Sequence, residues 1–174
     1  DYFTSDVTSL FLNSSCGIFP TLSCNMDIAN YPLASMCLHY SYASPSFNFS
    51  ASAYNGQGYD RLCGAANLWR ITPHSDGLFF ITQAEWQQNN NRYFVGSAQH
   101  TGKTSDGASA QTVLWSYTEQ SLTDHLSLIA DYSHAFGHSS QCTDFFGFGG
   151  QYAWNQSTLG FFSDYARFRY DSEW

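Results

Sequence analysis

The chain has 174 residues, with six Lys plus Arg against fourteen Asp plus Glu and a formal net charge of −8. So few basic residues cannot form a stripe that neutralises phosphates, which excludes a nucleic-acid partner, and they also exclude a polybasic helix at a membrane surface. Only 11% of residues are charged and 18% are aromatic, yet mean hydropathy is slightly negative, at −0.31. Abundant aromatic and uncharged polar residues suit a transmembrane β-barrel, whose strands face lipid on one side and water on the other.

Apolar and polar residues alternate with a period of two in most of the chain, which predicts strands rather than helices. Phe47, Phe49, Ala51 and Ala53 share one face of such a run. Leu78, Phe80, Ala84 and Trp86 do the same in a second run, and Leu126, Leu128, Ala130 and Tyr132 in a third. Eight strands are predicted in chain order, at residues 33–43, 46–55, 78–86, 92–100, 109–118, 124–134, 144–154 and 158–170.

The connections between these runs alternate in length. Short turns are predicted near residues 44, 89, 121 and 156, and longer connections near 65, 104 and 139. Outer-membrane barrels alternate in this way because one rim carries short periplasmic turns and the other carries longer external loops. The pattern therefore predicts an all-β, antiparallel meander that forms a transmembrane β-barrel, with residues 56–77 as a long loop that folds into the lumen.

Several segments are similar to a known family. The runs LFLNSSCGIFPTLS (residues 10–23), YPLASMCLHYSY (31–42) and FNFSASAYNGQ (47–57), together with LGFFSDYARFR (159–169), resemble the carbohydrate-selective porins of bacterial outer membranes. The resemblance is strongest over residues 8–58. It implies a barrel of about sixteen strands, roughly twice the length of this chain, that conducts sugars.

Charged residues crowd the end of the sequence, where Arg167, Arg169, Asp171 and Glu173 precede Trp174. A closing strand of a barrel would carry fewer charges, so the last run is expected to continue into a loop. We therefore expect residues 1–174 to form a single outer-membrane barrel domain that is incomplete and belongs to a larger barrel.

Four residues in or beside the 56–77 segment are candidates for a pore constriction, namely Arg61, Trp69, Arg70 and Glu85. Arg and acidic side chains hydrogen-bond hydroxyl groups, and Trp stacks on the apolar face of a sugar ring. These four residues are predicted to bind the solute, although Arg61 and Arg70 taken singly also fit solvated loop charges. Asp131, Asp164 and Arg167 are expected to face the lumen, because charges that face lipid are costly.

No group of residues in the sequence predicts a catalytic or metal site. His134, Asp144 and Ser139 could be drawn as a hydrolytic triad, but a Gly-x-Ser-x-Gly turn is absent. His134 and His138 would have ligand spacing only on a helix, which Gly137 disfavours. No catalytic residue, metal or cofactor is expected.

The sequence thus predicts an outer-membrane channel for passive diffusion of sugars or other small polar solutes, embedded in the lipid bilayer as a homo-oligomer or within a larger envelope assembly. Two alternatives remain open. One is a secreted β-rich carbohydrate-binding module, and the other is an accessory barrel with an occluded lumen in a larger outer-membrane assembly.

Overall fold

A computed structural model of the chain describes residues 20–26, 36–56, 73, 77–102, 111–137 and 140–169. Within them the protein is all-β, and eight antiparallel strands form one sheet in which each strand pairs with its neighbours in sequence. The strands are β1 (Cys37–Ala43), β2 (Phe47–Asn55), β3 (Leu78–Gln88), β4 (Asn91–His100), β5 (Gln111–Ser121), β6 (Leu126–Phe136), β7 (Cys142–Trp154) and β8 (Ser157–Phe168). One short helix, α1 (Pro20–Ser23), precedes them. In the described part of the chain, no helix is long and apolar enough to span a bilayer.

The predicted antiparallel meander is confirmed, and each of the eight predicted strands is present. The boundaries differ most at the start of β1, which is Cys37 and not residue 33, and at the end of β5, which is Ser121 and not residue 118. The β6–β7 connection, predicted over residues 135–143, is shorter in the structure, because β6 continues to Phe136 and β7 begins at Cys142. β1 and β8 do not pair with each other among the described residues, so the sheet is open there.

Short and long connections alternate along the sheet as predicted. The β3–β4 turn consists of Asn89 and Asn90, both with positive φ (50° and 63°), as a two-residue type I′ turn requires. Asn155 has the same conformation (φ 53°) in the two-residue β7–β8 turn. The β1–β2 turn is closed by Ser44, whose backbone N–H donates to the Phe47 carbonyl at 2.9 Å. These turns lie at one end of the sheet, and the longer connections lie at the other.

The sheet has two different faces, which we name by what lies on them. The covered face carries Ser50, Gln83, Gly96, Trp115 and Ser133, which the strand register places side by side. Residues 20–26 pack on this face. The opposite, open face has no second sheet against it in the part of the chain that the structure describes.

Residues 20–26 are fixed to the covered face by hydrogen bonds that join distant parts of the sequence. The Thr21 and Ser133 hydroxyls are 2.6 Å apart. The Asn25 side chain donates to the Cys142 carbonyl (2.5 Å) and accepts from the backbone N–H groups of Gln141 (2.7 Å) and Cys142 (3.1 Å). An apolar cluster lies beside these contacts, composed of Leu22, Met26, Phe79, Ile81, Phe94, Ala98, Val113, Trp115, Tyr117 and Ala135.

The open face presents large apolar side chains to the outside. Leu38, Leu159 and Trp154 are 78%, 76% and 68% exposed. Apart from Leu122 in a turn and Phe168 at the end of β8, every exposed large hydrophobic residue of the described chain lies on this face. The face is not uniformly apolar, because β4 and β5 also present uncharged polar side chains there, namely Ser97, Gln99, Thr112, Ser116, Thr118 and Gln120.

Charges are divided between the two faces. Asp131 and Asp164 share the covered face, in register on either side of Gly147. That this face lines a lumen stays a prediction. The prediction that Arg167 lies with them is wrong. Arg167 is directly opposite Asp144 on the open face, since residues three apart in a strand point to opposite faces. Its guanidinium is 4.0 Å from the Asp144 carboxylate and is 70% exposed.

Candidate functional site

Of the four predicted site residues, Glu85 is the one that the structure describes. It lies in a polar network on the covered face. Its carboxylate accepts from Arg92 Nε at 2.7 Å and from Asn48 Nδ2 at 3.0 Å. Arg92 also donates through NH1 to Glu119 Oε2 at 3.3 Å. The network therefore joins β2, β3, β4 and β5 side by side.

The register of the hairpin explains this network. Glu85 and Arg92 are seven residues apart in sequence, but the two-residue turn at Asn89 and Asn90 places them diagonally on one face. Arg92 is directly opposite Glu119 on the next strand. The turn thus positions one guanidinium between two carboxylates.

The network is largely removed from water. The side chains of Arg92, Glu85 and Glu119 are 27%, 13% and 8% exposed. Glu119 Oε1 is buried and accepts no hydrogen bond in the structure. Two carboxylates share the one guanidinium, so Arg92 has no positive charge left to offer a further anion, and Glu119 Oε1 is left without a donor.

An aromatic layer lies next to the network on the same face. The rings of Phe94 and Tyr117 are stacked with centroids 4.0 Å apart and planes 10° apart. The Arg92 guanidinium carbon lies 4.9 Å from the Phe94 ring centroid, within cation–π range. Trp115 donates from its indole nitrogen to Gln83 Oε1 at 3.1 Å. Polar groups of both hydrogen-bonding kinds thus adjoin aromatic rings, as in sites for polyols.

Arg61, Trp69 and Arg70 lie outside the described residues, so their position relative to Glu85 stays a prediction. The sequence reasoning missed Asn48, Arg92 and Glu119. A signal for Arg92 was present, because counting outward from an Asn-Asn turn pairs residue 87 with residue 92 and brings Glu85 to the same face.

A second polar cluster lies on the open face, at the end with the longer connections. His134 Nδ1 is 2.8 Å from Asp144 Oδ1, and the Tyr132 hydroxyl donates to the same oxygen at 3.1 Å. His134 and Asp144 are therefore neighbours, as a triad would need, whereas Ser139 lies outside the described residues. Among the described residues, no three His, Cys, Asp or Glu side chains are grouped so that they could hold a metal ion.

No protein-family model, no curated protein and no solved structure matches the chain. The function of the site is therefore inferred from its own residues and contacts.

Proposed function

We propose that the chain is part of an outer-membrane β-barrel channel through which sugars or other small polar solutes diffuse passively. The observation that carries this proposal is the distribution of apolar side chains, since the exposed face of the sheet is the one that carries most of the large hydrophobic residues. In this proposal the open face meets acyl chains and the covered face lines the lumen.

The exposed side chains support a lipid environment for the open face. Burying a Leu, Val or Phe side chain stabilises a protein by roughly 1.5–3 kcal/mol, and in water the open face would leave this stabilisation unused at many positions. Leu38, Val95, Phe161 and Tyr165 are all more than half exposed. Contiguous apolar patches of this kind mark protein or membrane contacts.

The placement of charges supports the same environment. Along the described strands, Asp144 and Arg167 are the acidic and basic residues of the open face, and both lie near strand ends. The central band of the face has none. A Lys or Arg near the middle of a bilayer costs a barrel about 2–4 kcal/mol, whereas near the interface it costs about 0–1 kcal/mol. Trp86, Tyr93 and Trp154 lie on the open face beside the short turns, where aromatic residues flank the apolar band of such barrels.

The sugar preference is supported by the covered face. Asn48, Glu85 and Arg92 offer donors and acceptors beside the Phe94 and Tyr117 rings. The similarity of residues 8–58 to carbohydrate-selective porins agrees with this chemistry. In the proposal, Arg61, Trp69 and Arg70 complete the constriction from the 56–77 segment.

One observation favours a second candidate function. Residues 20–26 lie on the covered face, so they would occupy part of a lumen, as expected for an accessory barrel with an occluded interior. The two candidates share the membrane and differ in whether solutes pass.

Extraction and conductance of the full natural protein test the proposal. We expect high salt and carbonate to leave the protein in the membrane fraction and detergent to release it. In planar bilayers we expect stepwise conductance that added sugars reduce. Conductance that no tested sugar reduces would reject the sugar preference but keep the channel, and a detergent-dependent protein without conductance would favour the occluded barrel. Release without detergent would reject the membrane location and favour a secreted module.

A matched pair of variants tests the role of Glu85. Glu85→Gln removes the charge from its hydrogen bond with Arg92, and we expect the half-blocking sugar concentration to rise about tenfold. Asp124→Asn makes the same chemical change in the β5–β6 turn and is the control. Equal sugar block in both variants would remove Glu85 from the site.

A further inference from the structure

The covered face carries an excess of negative charge. Glu85, Glu119, Asp131 and Asp164 are its acidic residues in the described strands, and Arg92 is its basic residue. Two histidines also lie on this face. A ring nitrogen of His39 is hydrogen-bonded to the Ser52 hydroxyl at 2.7 Å, and a ring nitrogen of His100 is hydrogen-bonded to the Gly56 carbonyl at 2.5 Å. Within the described strands, four carboxylates thus face one guanidinium, which two of them already engage. Arg61 and Arg70 of the proposed constriction would reduce the excess to one carboxylate.

Two of these carboxylates keep a buried oxygen without a partner. Glu119 and Asp131 are 6% and 5% exposed. Glu119 Oε1 and Asp131 Oδ1 have no hydrogen-bond partner among the described residues, although the Asp131 carboxylate is hydrogen-bonded by the backbone N–H of Gly147. A buried anionic acceptor without a donor is costly, so such oxygens point to a ligand that brings positive charge or hydrogen-bond donors.

The backbone gives Asp131 its place on this face. Asp131 is opposite Gly147, and a Cβ added to Gly147 would overlap the Asp131 carboxylate. Because glycine has no side chain, the carboxylate lies over the β7 backbone, toward Asp164 on β8. The strand register places Asp131 and Asp164 on either side of Gly147, so their like charges repel across a position that has no side chain. A cation between the two carboxylates would relieve this repulsion.

Building on the channel proposed above, we propose that the carboxylates of the covered face make it prefer cationic solutes, with neutral sugars next and anions excluded. Acidic side chains that line a pore raise the local concentration of cations and lower that of anions. The favoured class includes inorganic monovalent cations and sugars that carry an ammonium group. Glu119 and Asp131 are nearly buried, so they act together with Asp164 and Glu85 through the electrostatic field that the four carboxylates create over this face.

Reversal potentials of the full protein in neutral-lipid planar bilayers, under a KCl gradient at pH 8, test the inference. We expect a K⁺ to Cl⁻ permeability ratio above one. Glu119→Gln and Asp131→Asn should each lower the ratio by about twofold, and the double variant should lower it further. Asp144→Asn, which removes a carboxylate from the open face, should leave the ratio unchanged.

A second measurement uses three sugars of similar size and different charge. Liposome swelling with the wild-type protein should rank protonated glucosamine first, glucose second and glucuronate last. A ratio at or below one, a ratio unchanged in the double variant, or equal rates for the three sugars would each overturn the charge preference while the channel stands. Absence of any current or swelling would overturn the channel and this inference together.

Discussion

The indole ring of Trp115 occupies the space above Gly96, directly opposite it on the neighbouring strand. A Cβ built on Gly96 would overlap the indole ring atoms. Trp115 is 5% exposed and uses its ring nitrogen to hold Gln83. A large ring thus lies flat across the sheet because its cross-strand partner has no side chain.

Gly96→Ala should therefore displace Trp115 and destabilise the protein by about 1–3 kcal/mol, the usual cost of inserting a methyl group into a packed region. Urea unfolding in detergent, followed by Trp fluorescence, measures the change. Gly160→Ala is the matched control, because Gly160 is an exposed glycine on β8. Equal midpoints for both variants would contradict the proposed packing.

Arg92→Met should destabilise the protein by about 3 kcal/mol, because it leaves Glu85 and Glu119 largely buried without their shared cation. Arg167→Met removes an arginine that is 70% exposed and should cost less than about 1 kcal/mol. Unfolding midpoints in urea compare the two. Adding Glu119→Gln to Arg92→Met should recover part of the loss, and additive effects in this double-mutant cycle would argue against coupling.

Asn25→Ala should release residues 20–26 from β7, since it removes all three hydrogen bonds to Gln141 and Cys142 and leaves their backbone groups unpaired. The Cys142 thiol is fully buried, so its alkylation reports the release. We expect the rate at Cys142, resolved by peptide mass spectrometry, to rise at least about fivefold, as a loss of 1–3 kcal/mol implies. Ser23→Ala, at an exposed position in α1, is the control. An unchanged rate would mean that the apolar contacts and the Thr21–Ser133 hydrogen bond hold the segment without Asn25.

Val95→Lys should cost about 2–4 kcal/mol in lipid, because Val95 lies in the middle of β4 on the open face and is 59% exposed. The same change in a water-soluble sheet would cost little, so the test separates the two environments. Gln88→Lys, at the end of β3 on the same face, should cost about 0–1 kcal/mol. Folding into lipid vesicles at increasing urea gives the comparison, and equal costs at the two positions would contradict a lipid-facing surface.

The sequence was sufficient for the strands because each carries its own two-residue period. Phe47 and Phe49, and likewise Leu126 and Leu128, share a face as predicted. The ends of β5 and β6 were harder to place, because Glu119 and Gln120 are polar residues that the partner strand still pairs. Local pattern predicts a strand, whereas the neighbouring strand determines how far it extends.

The contacts between distant residues could not be predicted in the same way. No periodicity indicates that Asn25 binds Cys142, which is 117 residues away. Arg167 was misplaced because charge was taken as a guide to the face, although its separation of three residues from Asp164 already put it on the opposite side. For Glu85, the sequence identified a polar residue of the site, and its partners Arg92 and Glu119 became evident only from the register.

The strictly sequential pairing of β1 to β8 also bears on how such a sheet can evolve. Every ladder joins strands that follow one another in the chain, so the removal or duplication of one hairpin leaves the registers of the other hairpins unchanged. In the barrel proposed above, the circumference could therefore grow or shrink by two strands at a time, and the size of the admitted solute would change without a new fold.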